Sequence, residues 1–153
     1  MTDTRRIEYE IMLLERHRDR GALGEPPRRL DRSAYVLLSR LELDGPLSIG
    51  QLVDALGLDT STLNRQTSAL SRTGLVNRIP DPDGGIARKF RITPQGRRRL
   101  HSDRDAAIGG LDTALADWTP GQVRTLAESL RRLNEDIERA AGRPWPRTAD
   151  PST

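Results

Sequence analysis

The sequence predicts a mainly α-helical fold with a small β wing. Three observations lead there. Apolar residues recur at helical spacing through most of the chain, in segments punctuated by Gly, Pro and capping residues. Two strand-like runs, 75–79 and 86–92, flank the turn-forming Pro80-Asp81-Pro82-Asp83-Gly84-Gly85. Apolar stripes continue in helical segments before and after this central region, more than a small lobe needs for its own core.

Residues 7–20 form the first helix, with Ile7, Ile11 and Leu14 at i, i+4 and i+7 and Met12 and Leu13 broadening the stripe. GALGEPP, 21–27, is a loop. Residues 30–43 are a second helix, capped by Asp31 or Ser33, with Tyr35, Leu38 and Leu41 inward. Asp44-Gly45-Pro46 ends it and leads to Leu47, a short third strand bracing the hairpin.

Residues 47–70, LSIGQLVDALGLDTSTLNRQTSAL, read as two short helices and a tight turn. Leu52, Val53 and Leu56 make the apolar face of the first, Gly57 ends it, and Leu58 is expected in the angle between the two. Asp59 or Thr60 caps the second helix. Leu63, Thr67 and Leu70 fall on one side of it; Ser61, Arg65, Ser68 and Arg72 point the opposite way, flanked by Thr62, Asn64 and Ala69. A helix–turn–helix whose second helix shows such residues suits major-groove reading. Residues 71–74 stop that helix, and a basic hairpin follows, with Phe90 and Ile92 on one face and Lys89 and Arg91 on the other. The combination is a winged helix–turn–helix lobe.

Thr93-Pro94 opens a long helix carrying Leu100, Ile108, Leu111 and Leu115. Gly109-Gly110 interrupts it at about 1 kcal/mol per glycine relative to alanine, which marks a bend or a close helix crossing. Thr119-Pro120-Gly121-Gln122 is a capping box that starts the last helix. Its stripe is Val123, Leu126, Leu130, Leu133 and Ile137. Residues 142–153 are expected to be a loose tail.

Here the chain resembles a known family. Residues 52–97 are similar to the DNA-binding lobe of the MarR-type regulators. The Gly-Leu-Val-x-Arg approach to the wing (Gly74 to Arg78), the Asp81-Pro82 turn and the Ile92-Thr93-Pro94-x-Gly96 exit all match. The likeness in layout spans roughly residues 5–141. It implies a single domain in which 30–97 binds DNA and helices at about 5–20 and 98–141 dimerise. It also implies an effector bound between dimerisation helices and DNA lobe, for which Tyr35, His17 and Trp118 are possible lining residues, Tyr35 and Trp118 reading more simply as core. Two departures stand out. The family's wing tip carries Asp and Arg where this chain has Gly84, Gly85 and Ile86, with Arg88 and Lys89 as nearby substitutes. Gln66 stands where such helices often place an apolar residue; it either faces the groove or sits at a half-buried edge.

Charge supports a polyanionic partner. Residues 46–100 hold nine Arg or Lys against four Asp or Glu, a net +5, whereas residues 1–45 balance at nine each and residues 101–153 have seven against nine. Arg97, Arg98 and Arg99 belong to that excess or simply form a solvated helix face. With 35% hydrophobic and 3% aromatic residues, the chain has thin means for a large core, and burial shared between subunits would remedy this. The absence of cysteine excludes disulfides, thiolate metal sites and thiol redox switching. The first residues lack the apolar stretch of a signal peptide and no run approaches membrane-spanning length, so a cytoplasmic protein with no membrane partner is expected.

An enzyme is not expected. The only histidines, His17 and His101, sit beside neither a serine nucleophile nor a convincing carboxylate base. On a helix His101 and Asp105 share a face while Asp103 points away, so at most two metal ligands converge. Gly84-Gly85 is a turn and not a phosphate loop. No metal and no cofactor are expected.

The expected function is sequence-specific binding of double-stranded DNA at a palindromic operator, by a homodimeric transcriptional regulator, a repressor with a possible small-molecule effector. Arg65, Thr62 and Asn64 are the candidates for base edges, with Ser61, Gln66 and Ser68 nearby; Arg72, Arg88, Lys89 and Arg91 are candidates for phosphates or the minor groove. The dimerisation candidates are Ile7, Ile11, Leu14, Leu111, Leu115, Val123, Leu126, Leu130, Leu133 and Ile137. Those stripes could instead close an intramolecular bundle. An architectural, nonspecific DNA binder and a protein-interaction module are the alternative functions.

Overall fold

The computed structural model describes residues 2–24 and 29–148; residues 25–27 of the expected loop and residues 149–153 of the expected tail lie outside the described residues. The order is α1 (Asp3–Asp19), α2 (Arg32–Asp44), α3 (Ile49–Leu56), α4 (Thr60–Arg72), β1 (Val76–Ile79), β2 (Lys89–Ile92), α5 (Pro94–Ala114) and α6 (Pro120–Ala141).

Most boundaries follow from side chains that satisfy orphan N–H groups at helix starts. Asp31 accepts from the Ala34 N–H, Asp59 from Thr62 and Thr93 from Gly96. Ser48 with Gln51 and Thr119 with Gln122 form reciprocal capping boxes. Gly57 closes α3 in the left-handed conformation, at φ 67°.

The wing strands pair antiparallel, Val76 with Ile92 through Ile79 with Lys89, and Leu47 exchanges two backbone hydrogen bonds with Phe90 as the expected third-strand brace. The second strand begins at Lys89, not Ile86. Ile86 is fully exposed, so no burial holds 86–88 to the ladder.

The core lies wholly within residues 34–100: Ala34, Leu37, Leu38 and Leu41 of α2 meet Leu52, Leu63, Leu70, Val76, Phe90, Ile92 and Leu100. Leu58 does not join it and is 38% exposed; Leu52 and Leu63 fill the core side of the helix pair. Neither α1 nor α6 has a buried residue. Their stripes stand open to solvent, as do Ile108 and Leu111 of α5, while Val123 and Leu115 are half-buried.

Polar ties join α5 to the segment around α2. Asp103, buried, accepts the Leu30 N–H at 2.5 Å and lies 3.6 Å from Arg99. Glu42 meets both His101 and Arg104, the latter at 3.1 Å. His101 therefore does have a carboxylate partner, one 59 positions away and invisible to local inspection.

Gly109 and Gly110 differ. A Cβ on Gly110 would sit 1.6 Å from the Leu23 carbonyl oxygen, whereas one on Gly109 meets open space. The close approach is thus with the chain leaving α1 and not with a second helix. Gly110→Ala should destabilise the protein by about 1–3 kcal/mol, as overpacking does, while Gly109→Ala should stabilise it by about 0.5–1 kcal/mol. Urea unfolding of the two variants checks this; equal effects would contradict the Leu23 contact.

Candidate nucleic-acid interface

α4 displays the polar surface expected of it. Leu63, Thr67 and Leu70 are buried, and the Thr67 hydroxyl donates to the Leu63 carbonyl at 2.7 Å, which satisfies a polar group inside the core. Ser61, Asn64, Arg65, Ser68 and Arg72 are exposed, and Thr62 is half-buried. Arg65 donates to the Thr62 hydroxyl at 3.3 Å. The N-cap Asp59 is held below the usual carboxylate range by the Thr62 N–H and the Thr62 and Ser61 side chains. Gln66 takes the half-buried edge, its Oε1 buried without a hydrogen-bond partner.

The wing departs from simple alternation. Lys89 was expected to face outward with Arg91. Instead its ammonium lies 3.3 Å from Asp81, and both side chains are only 13% exposed. The turn folds back so that Asp81 accepts the Asp83 N–H at 2.9 Å and still reaches Lys89. Arg91 is exposed and donates to Asn77 across the ladder at 3.3 Å. Arg88 is exposed, its side chain without a partner among the described residues.

Arg97 and Arg98, which sequence alone left open as a solvated face, join Arg91, Ile92, Pro94 and His101 around an open cleft of about 680 Å³. The Arg97 and Arg98 side chains also lack partners among the described residues. The lobe thus presents an exposed polar helix, α4, and, on β2 and α5, guanidinium groups that no carboxylate neutralises among the described residues. Such a surface suits the edges of bases and the phosphates around them. No group of three or more His, Cys, Asp or Glu capable of holding a metal occurs among the described residues.

Comparison with known proteins decides the family. The MarR family model matches residues 30–84. YxaD of Bacillus subtilis, an uncharacterised HTH-type transcriptional regulator, is 34% identical over 132 residues, which cover 84% of this chain and 91% of YxaD. The chain belongs to the MarR family. It is a transcriptional regulator with a DNA-binding winged helix. Solved structures share its fold. A MarR family protein from Bacillus stearothermophilus has a TM-score of 0.69 at 22% identity, over 90% of this chain and 98% of that one. BpsR of Bordetella bronchiseptica, whose DNA binding is regulated by 6-hydroxynicotinic acid, has a TM-score of 0.57 at 21% identity, over 80% and 96% of the two chains.

Within this MarR-family chain, Tyr35 sits half-buried and packs against the core. Trp118 is 46% exposed at the turn between α5 and α6, not core as expected, and His17 is exposed on α1. None of the described helices is long and apolar enough to cross a membrane.

Asp81 organises the wing in its charged form. The Asp83 N–H holds its carboxyl below 3.8, against the opposing effect of burial and with help from Lys89. Its folded pKa is depressed, so its contribution is complete above 3.8 and is lost as pH falls through the lower value. An NMR titration of the Asp83 amide should therefore show a midpoint below 3.8, moved upward by Lys89→Ala. A midpoint at or above 3.8 would contradict the Asp81 clamp.

Proposed function

We propose that this MarR-family regulator acts as a homodimer that represses transcription at a palindromic operator, and that a small-molecule effector modulates its DNA binding. The observation that carries this is the uncovered apolar surface of α1, α5 and α6 outside a lobe whose own core is complete. A two-fold partner would bury Ile7, Ile11 and Leu14 together with Leu111, Leu115, Val123, Leu126, Leu130, Leu133 and Ile137. It would also set two α4 helices one DNA turn apart, about 34 Å. On this proposal residues 30–97 bind DNA and the helices on either side of them dimerise.

Arg65, Thr62 and Asn64 then meet base edges, with Ser61 and Ser68 beside them and Gln66 at the rim. Arg72, Arg88 and Arg91 meet phosphates. Lys89 contributes less, because Asp81 already neutralises it. Repression follows if the operator overlaps a promoter, since a bound dimer then excludes polymerase. Regulation of BpsR by a small molecule supports the effector part of the proposal by fold alone.

Titration of DNA from upstream of the chain's own gene, against random DNA and across a salt series, tests the function. Binding to the upstream DNA should be far tighter than to random DNA. Arg65→Ala should cost about 1–3 kcal/mol on the cognate site and much less on random DNA. Arg91→Ala should weaken both equally and, in a dimer, lower the salt slope by up to about 1.8, with Lys89→Ala lowering it less. Equal affinity for both DNAs would indicate an architectural binder, and no binding to either would indicate a protein-interaction module.

A further inference from the structure

Of the segment expected to be a loose tail, residues 143–148 are docked. α6 ends at Gly142, and residues 143–148 turn back along its last turn. Glu138 holds them there: its carboxylate accepts the Trp145 N–H at 3.0 Å and both terminal nitrogens of Arg147, at 2.9 and 2.6 Å. Those bonds, from Arg147 first and the Trp145 N–H second, hold the Glu138 carboxyl at a pKa of about 2.

The segment also touches the DNA lobe at two separate helices. Arg143 donates from Nε to the Asp54 carbonyl of α3 at 3.2 Å, where a cation complements the negative end of the helix dipole. Its guanidinium lies against Gly57, the turn of the helix–turn–helix. The Arg40 guanidinium of α2 stacks over the Trp145 ring at 4.9 Å, and the half-buried Trp145 thereby accommodates an Arg40 Nη1 that has no hydrogen-bond partner. α6 itself buries nothing on this lobe.

We infer that residues 143–148 are a strap through which Arg143 and Trp145 position the helix–turn–helix relative to α6, so that DNA affinity depends on residues that do not touch DNA. The inference rests on the dimer proposed above, in which α6 lies at the subunit interface. With two-fold pairing, any tilt of the lobe against α6 alters the separation of the two α4 helices twice over. Release of the strap widens the range of separations, and only a fraction of them match the operator.

The test uses the full chain carrying Trp118→Phe, so that Trp145 is the only tryptophan and its fluorescence reports the docked strap. Arg143→Ala and Glu138→Gln are introduced separately into this parent. Each should shift the Trp145 emission to the red and weaken operator binding by about five- to tenfold, the lower range of coupling between sites. The salt slope and the dimer mass should not change, because no phosphate contact and no interface residue is lost. Arg143→Lys should recover part of the affinity. Unchanged emission in both variants would overturn the docking, and shifted emission with unchanged affinity would overturn the positioning role. A lowered salt slope would mean that Arg143 meets phosphate itself, which also overturns it. A parent that fails to bind DNA at all would overturn the proposed function and this inference together, whereas the other contrary outcomes overturn this inference alone.

Discussion

All the deeply buried apolar side chains among the described residues lie between Ala34 and Leu100, and everything else in the molecule follows from that confinement. Four leucine- and alanine-bearing positions of α2 form the floor, and α3, α4, the wing and the start of α5 close over it. A core of this kind fixes α4 through Leu63, Thr67 and Leu70 and thereby commits its opposite face to solvent. The polar surface of α4 is the geometric consequence of three inward residues on a 13-residue helix. The long terminal helices obey the same constraint in reverse. With the core already filled, their apolar faces stay open to solvent among the described residues.

Electrostatics divides the basic surface into satisfied and unsatisfied parts. Lys89 is neutralised by Asp81, and Arg104 by Glu42. Arg88, Arg97 and Arg98 pair with no carboxylate among the described residues. A count of positive charges therefore overstates what the wing offers and understates the neighbouring start of α5. The wing turn is ordered by a carboxylate at its base, and its tip, where Ile86 stands fully exposed, carries no charge.

What the sequence made legible was local. Helix starts were readable because a cap and its N–H lie within three residues, as at Asp31, Asp59, Thr93 and Thr119. The box at Ser48 and Gln51 carries the same local signal. The inner and outer faces of α4 followed from periodicity alone. The misses were contacts between distant residues. Lys89 was turned inward by an aspartate across the turn, His101 found Glu42 on another helix, and Arg143 reached Asp54, 89 positions away. A tail rich in Pro and Arg looks loose until the surface that receives it is known. Leu58 and Trp118 were misjudged for a related reason: hydrophobicity says that a side chain gains from burial, not that the chain has room to bury it.

The proposed dimer requires two copies of the chain to cover the exposed stripes of α1, α5 and α6. Sedimentation equilibrium of the unmodified chain and of Leu130→Glu, each checked for native helix content, measures this directly. The unmodified chain should sediment at twice the chain mass at micromolar concentration, and Leu130→Glu, which places a charge in the middle of the α6 stripe, should shift toward the single-chain mass with its winged lobe still folded. A folded, single-chain mass for the unmodified protein would contradict the account.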